Sequence, residues 1–164
     1  MSDMARSPKK EIIFNGIPAA PGIAFGRAFV VNIEDLPVSS ESIDISQIET
    51  EIARFEDALK ETETELNNLK RTLASEMGEE HAKILDSHLM MAADELMKKE
   101  TIEEIQSHKV DAACAFTRVI GKTLRTFDQM EDQYLRERAE DIRDLKRRVI
   151  RNLFGQKSEG IASL

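Results

Sequence analysis

Between Ile48 and Leu73 the large apolar residues Ile48, Ile52, Phe55, Leu59, Leu66, Leu69 and Leu73 recur three, four or seven apart, with charged residues crowding the positions between. That period brings them onto one face of an α-helix, whereas a strand would alternate its faces every second residue. Ser46, with Glu49 three residues on, has the spacing of a reciprocal N-terminal cap. The stripe continues to Met77, and Gly78 offers a stop. About 30 residues rising ~1.5 Å each make a rod of roughly 45 Å, long for a globular helix, so the rest of the chain must supply surfaces for it to lie on.

The later sequence supplies them. A second helical run is expected over residues 79–93, apolar at Ile84, Leu85, Leu89, Met91 and Ala92. Asp94 can cap a third with Met97, Ile102 and Ile105, and Asp111 a fourth with Ala115, Phe116, Val119, Ile120, Leu124 and Phe127. A fifth is expected over residues 132–154 through Leu135, Ile142, Leu145, Val149, Ile150 and Leu153. Its last turns carry Lys146, Arg147, Arg148 and Arg151, cations that oppose the partial negative charge of a helix C-terminus, and Gly155 follows. Short connections make neighbours antiparallel, which predicts two packed hairpins.

Extended structure is confined to the start. Gly16, Pro18, Pro21, Gly22, Gly26 and Pro37 lie in the first quarter, and residues 23–31, β-branched and aromatic behind the Pro21-Gly22 turn signal, read as a strand. One strand cannot stand alone, and nothing after Ser46 offers a partner. The first eleven residues are polar, with neither an apolar core nor a small-residue cleavage site, and are expected to be a disordered lead rather than a secretory signal.

In 164 residues, 41% are hydrophobic, enough to bury a core. The 31 acidic and 23 basic residues give a formal charge of −8, which argues against a nucleic-acid backbone as partner and favours a basic protein or a solvated surface. Cys114 is the sole cysteine, so an internal disulfide and a four-thiolate zinc site are excluded and a reducing, cytoplasmic setting fits. No stretch approaches the ~18 apolar residues needed to cross a bilayer.

Catalytic signatures are scarce. His81, His88 and His108 fall in no metal-ligand spacing, and phosphate loops, nucleophile elbows and dinucleotide-binding turns are missing. What stands out is the segment 78–97, where Glu79, Glu80, Asp86, Asp94 and Glu95 alternate with Leu85, Leu89, Met90, Met91 and Met97. Methionine packs adaptably and is over-used at binding surfaces. Two amphipathic core helices with a wet face would show the same pattern. A small basic protein with an exposed apolar patch would suit it too.

Three stretches read together resemble enzyme I, the phosphoenolpyruvate-protein phosphotransferase of the bacterial sugar phosphotransferase system. They are Asn15-Gly16-Ile17-Pro18-Ala19-Ala20-Pro21-Gly22-Ile23-Ala24-Phe25-Gly26, then Ile84-Leu85-Asp86-Ser87-His88-Leu89-Met90-Met91, and Tyr134-Leu135-Arg136-Glu137-Arg138-Ala139-Glu140-Asp141-Ile142-Arg143-Asp144 followed by Arg148-Val149-Ile150-Arg151-Asn152-Leu153-Phe154-Gly155. They match the family's Gly-x-x-Ala-Ser-Pro-Gly-Ile-Ala-x-Gly opening, its Ile-Phe-x-x-His-x-Met/Leu-x helix and its Tyr-Leu-x-Glu-Arg-x-x-Asp-x-x-Asp helix.

The resemblance implies a mainly α protein: a helical bundle of two hairpins, four main helices with one kinked, preceded by a short β segment of a split phosphohistidine domain. On this reading residues 12–44 are that β segment, 45–155 the helical domain, and 156–164 the start of the return. It implies docking of HPr, the small phosphocarrier, on Glu79, Glu80, Asp86, His88, Met91, Asp94, Glu95 and Met97, with Arg138 from the last helix. The family often has Leu-Glu-Asp before the kink where this chain has Ala92-Ala93-Asp94, so a one-residue shift there changes which apolar side chain meets the carrier. In the family, phosphate comes from phosphoenolpyruvate bound with magnesium in a barrel and passes through a Gly-Gly-x-x-Ser-His histidine. Neither barrel nor motif occurs in these 164 residues, so the chain alone is expected to hold no cofactor and to be catalytically inactive and monomeric, the remainder of enzyme I being its second partner and the source of family dimerisation. The nitrogen-related paralogue of enzyme I is the alternative, disfavoured by the short lead before residue 12 where its sensory domain usually lies. A stand-alone helical scaffold is another.

Overall fold

The computed structural model describes residues 42–129 and 133–156, together with Gly22 and Val38; the side chains of Asp128 and of residues 133–137 are outside the description. The expected lead, the strand over 23–31 and the return segment from 157 onward lie outside the described residues. All the described helices belong to one compact unit, Glu34–Leu164.

α1 spans Ile48–Met77 and is introduced by one 3-10 turn, Ile45–Gln47. The cap stands two residues earlier than the Ser46 expected from sequence: the Asp44 N–H donates to Gln47 Oε1 at 2.9 Å, so Asp44 and Gln47 take the paired roles. The tight turn adds residues ahead of the α-helix, which moves the free N–H groups, and hence the cap, upstream. At the other end Gly78 adopts φ 92, a conformation open to glycine, and α1 stops. His81 Nδ1 lies 2.8 Å from the Met77 carbonyl, and because a carbonyl only accepts, Nδ1 carries the hydrogen.

The second run is not one helix. α2 (Glu79–Ala82) passes through a 3-10 turn, Lys83–Leu85, into α3 (Asp86–Ala92). The buried residues of this segment are Ala82, Leu85, His88 and Ala92, spaced three, three and four. At ~3.0 residues per turn an i, i+3 row stays in line, whereas a straight α-helix would carry it off the contact face. The turn therefore keeps one side of the kinked rod on the bundle.

α4 (Glu95–His108) starts at Asp94, whose Oδ1 accepts from the Leu96 and Met97 N–H groups at 2.8 and 3.0 Å. α5 (Ala112–Asp128) starts at Asp111, which accepts from the Cys114 N–H at 2.7 Å. Both caps stand where the sequence put them. Lys109, left-handed at φ 50, ends α4, and the Ile43 N–H donates to its carbonyl at 2.7 Å. An isolated antiparallel bridge between Ser42 and Val110 accompanies this bond. α6 (Gln133–Leu153) closes on Gly155 at φ 65, with the Gly155 N–H donating to Asn152 and the Gln156 N–H to Arg151. That pair of bonds is the Schellman closure which a glycine in this position permits.

α5 packs on α4 and α6, and α1 lies against α3, α4, α5 and α6. The core runs through Phe55 and Leu66 of α1, Ile105 of α4, Phe116 of α5, and Leu145 and Val149 of α6, all fully buried. The Phe55 and Phe116 rings meet at 5.6 Å, within the range where tilted aromatic pairs attract. Each such burial is worth about 1.5–3 kcal/mol. Polar side chains cross-link the same bundle. Glu51 accepts from the Ala112 N–H at the start of α5 and pairs with Arg54, which in turn donates to the Leu153 carbonyl at the end of α6. Buried Thr62 accepts from Asn152, and Arg151 pairs with Glu65.

Candidate docking surface

The kinked rod α2–α3 and the cap of α4 present two kinds of side chain. Glu79 and Glu80 are exposed in the first turn of α2, and Lys83 answers Glu80 at 2.6 Å. Asp94 and Glu95 are exposed at the α3–α4 corner. Asp86 is half-exposed and already paired with Lys70 of α1, so its charge is partly spent inside the fold. Beside this corner lies an open groove of about 370 Å³ lined by residues that include Glu56, Glu63, Ala92, Asp94, Glu95 and Lys98. Lys98 sits 2.9 Å from Glu56, and that hydrogen-bonded carboxylate raises its pKa above the usual lysine value.

Apolar side chains divide by phase. Met91 and Met97 are half-buried and pack against the hydrophobic core. Ile84, Met90 and Leu96, by contrast, stand 70%, 76% and 64% exposed. Met77, the last residue of α1, is exposed beside them in sequence. The docking positions expected from sequence included Met91 and Met97 but not Ile84, Met90 or Leu96, although Ile84 and Met90 stood among the apolar residues of this segment. The missed signal was the inward set Ala82, Leu85, His88 and Ala92, whose phase turns Ile84 and Met90 outward.

His88 is the largest departure from the expected surface, since only 9% of it is exposed. Its Nε2 faces α6 instead, 3.8 Å from Asp141 Oδ1 and 3.8 Å from Asp144 Oδ2. Arg138 is half-exposed on α6 and reaches Asp141 Oδ2 at 4.0 Å. The structure thus brings His88 and Arg138 to one carboxylate and keeps Glu79, Glu80, Asp94 and Glu95 toward solvent.

Reactive groups are few here. Cys114 is buried, and burial pushes its thiol up, away from the thiolate that chemistry would need. Among the described residues no group of three histidine, cysteine or acidic side chains could hold a metal ion, and no described helix is long and apolar enough to cross a membrane.

Fold and surface together define a small helical domain whose distinguishing feature is a kinked acidic segment with outward apolar side chains. The chain belongs to the family described as PEP-utilising enzyme, N-terminal, whose model matches residues 15–138. It is 35% identical over 143 residues to the phosphoenolpyruvate-protein phosphotransferase of Haemophilus influenzae, covering 87% of this chain and 25% of that protein. It is 36% identical over 141 residues to the enzyme of the same name from Cupriavidus necator, covering 86% and 24%. Among solved structures, a solution structure of enzyme I superposes with a TM-score of 0.69 at 36% identity, over 74% of this chain and 49% of that one. The N-terminal domain of the nitrogen enzyme 1 superposes at 0.64 and 26% identity, over 73% and 49%. The chain thus spans about a quarter of the length of these curated relatives. The resemblance to enzyme I and the mainly helical fold are both borne out.

Proposed function

We propose that this chain is the carrier-docking part of a phosphoenolpyruvate-protein phosphotransferase, receiving HPr on the face built by α2, α3 and the start of α4. The observation that supports this reading best is the pairing of outward Ile84, Met90 and Leu96 with exposed Glu79, Glu80, Asp94 and Glu95. Large apolar side chains gain most when a partner covers them, and carboxylates around them steer a basic partner and reject an acidic one. Arg138 contributes from α6. Met91 and Met97 lie beneath this face and hold its shape, Asp86 ties it to Lys70, and His88 works from inside. The chemistry, transfer of phosphate from magnesium-bound phosphoenolpyruvate to a carrier histidine for sugar import in the cytoplasm, belongs on this reading to the remainder of the enzyme.

Titrating the isotope-labelled chain with HPr from the same organism tests the reading. Shifts should concentrate in residues 78–97 and at Arg138, and affinity should fall as salt rises, since exposed charge pairs are screened over ~8 Å at physiological ionic strength. Absence of binding, or shifts confined elsewhere, sinks it. The nitrogen-branch carrier is the second reading, favoured by the fold likeness to the nitrogen enzyme 1 domain, and preferential binding of that carrier in the same titration would select it. A scaffold bundle predicts that neither carrier binds.

A further inference from the structure

We propose that Met90 is a modification site: a peroxide oxidises its thioether to the sulfoxide, and the sulfoxide loosens the hold of the docking face on its partner. The consequence for binding rests on the docking reading, whereas the choice of Met90 rests on where the fold puts its sulfur atoms. The described sulfur side chains are Met77, Met90, Met91, Met97 and Cys114. Cys114 is buried in α5 and burial pushes its thiol up, so the thiolate that an oxidant attacks most readily is withheld. A thioether has no proton to lose, so the order of attack among the methionines follows access to solvent. Met91 and Met97 are half-buried against the core, whereas Met90 is 76% exposed and Met77 57%.

α3 turns His88 and Ala92 inward and rests Leu89 and Met91 against the core, which leaves Met90 on its outer side. Oxygen is therefore added where no core packing depends on the sulfur, and the bundle keeps its fold while its surface changes. The sulfur lone pair takes one oxygen of hydrogen peroxide: an S–O bond forms, the O–O bond breaks, and the other oxygen leaves with both hydrogens as water. Sulfur is oxidised and the peroxide reduced, with no further reactant. The sulfoxide oxygen accepts hydrogen bonds and donates none, on a face whose exposed Glu79, Glu80, Asp94 and Glu95 are acceptors as well. An apolar patch laid over it strips its water and returns no donor, which is unfavourable for any polar group. Methionine sulfoxide reductases reverse the step, so the site can be switched off and on.

The 164-residue chain is treated with hydrogen peroxide, the excess is destroyed with catalase, and peptide masses, a melting curve and HPr affinity are read on the same sample. Met90 and Met77 should gain oxygen ahead of Met91 and Met97, with the melt unaltered. HPr affinity should fall about fivefold to twentyfold, and treatment with methionine sulfoxide reductases of both epimer specificities should restore it. Met77→Leu should show the same fall. Met90→Leu, whatever its starting affinity, should bind alike before and after peroxide. Met90→Gln, polar and of similar length, should bind as weakly as the oxidised chain with no oxidant added. Met91 or Met97 oxidising ahead of Met90, a Met90→Gln protein that binds as untreated wild type does, or a Met90→Leu protein that loses affinity to peroxide overturns the proposal. An untreated chain that binds no HPr overturns the docking reading, and the switch with it. Wild-type binding that survives oxidation of Met90 overturns the switch alone.

Discussion

The two ends of α1 differ in how far they cover apolar side chains. Near its start, where α1 meets α5 and α6, Phe55 and Phe116 are fully buried, and the charged groups there are matched: Glu51 to the Ala112 N–H and Arg54, Arg54 to the Leu153 carbonyl. Past its end, over α2, α3 and the first turn of α4, Ile84, Met90 and Leu96 face solvent, and Glu79 and Glu95 are exposed. A chain of this size readily buries such side chains, and near the start of α1 most are covered, with Ile45 and Phe154 standing out singly. Leaving three of them out at the other end fits a surface shaped for a partner rather than for the stability of the bundle.

The comparison breaks most easily at the core. Phe116→Ala should cost about 3–5 kcal/mol of stability, read as a lower denaturant midpoint, while HPr affinity per folded molecule stays constant. Met90→Ala should leave the midpoint within about 0.5 kcal/mol and speed HPr dissociation. Met91→Ala is the sharper variant, because Met91 is half-buried against the core one residue away. It should cost roughly 1–2 kcal/mol with little change in dissociation rate. A faster dissociation from Met91→Ala with an unaltered melt would exchange the roles given to the two methionines.

Next in size is the polar clasp at the stable end. Glu51→Gln keeps the shape but removes the charge that Arg54 and the α5 N-terminus share, so about 1–3 kcal/mol should be lost. Urea melts check this, and an unchanged midpoint would show that the clasp contributes nothing net.

Glu104 ranks below it. Burial pushes its carboxyl up, but hydrogen bonding from Arg118 and the nearby His108 and Lys122 outweigh this and hold its pKa below the usual glutamate value. A carboxyl whose folded pKa is depressed stabilises the fold above its unfolded pKa and loses that contribution as pH falls through the folded one. Its partners His108, Arg118 and Lys122 are 40% to 63% exposed, which screens the effect. Glu104→Gln should therefore cost on the order of 1 kcal/mol near neutrality and progressively less as the medium is acidified below the glutamate range. A deficit that stays constant with pH would show that packing, not charge, is what Glu104 supplies.

Much of this was legible in the sequence, and the parts that were not share a cause. Helix existence follows from apolar spacing, and the Asp94 and Asp111 caps from residue type, because both are local. The break between α2 and α3 was hidden because a single 3-10 turn shifts phase without adding a proline or glycine. Its inward set contains two alanines and a histidine, which hydrophobic patterning weighs lightly, so Ile84 read as part of the apolar stripe and the outward turn of Met90 and Leu96 went unmarked. The cap at Asp44 was missed because Ser46-x-x-Glu49 has equally good spacing. Glu51 meeting Ala112 is 61 residues distant and has no sequence signature at all. His88 matched a surface motif in one dimension; only the packing of α3 on α6 turns it inward.

The smallest effect on stability is expected at the other end of the molecule. Glu79 and Glu80 are exposed in the first turn of a four-residue helix, and the Glu80–Lys83 pair is open to water on both sides. Reversing both to lysine sets positive charge against the helix N-terminus and abolishes that pair. In so short and wet a turn this should shift the unfolding free energy by no more than a few tenths of a kcal/mol. The same change places like charges opposite a basic carrier. Association with HPr should then slow by about tenfold at low salt, the deficit shrinking as ionic strength rises, with dissociation little altered. Stopped-flow association at two salt concentrations, run beside a melting curve, reads both quantities from one sample. A large drop in melting temperature would mean that these carboxylates support the kink, and a rate indifferent to charge reversal would place the steering elsewhere, at Asp94 and Glu95.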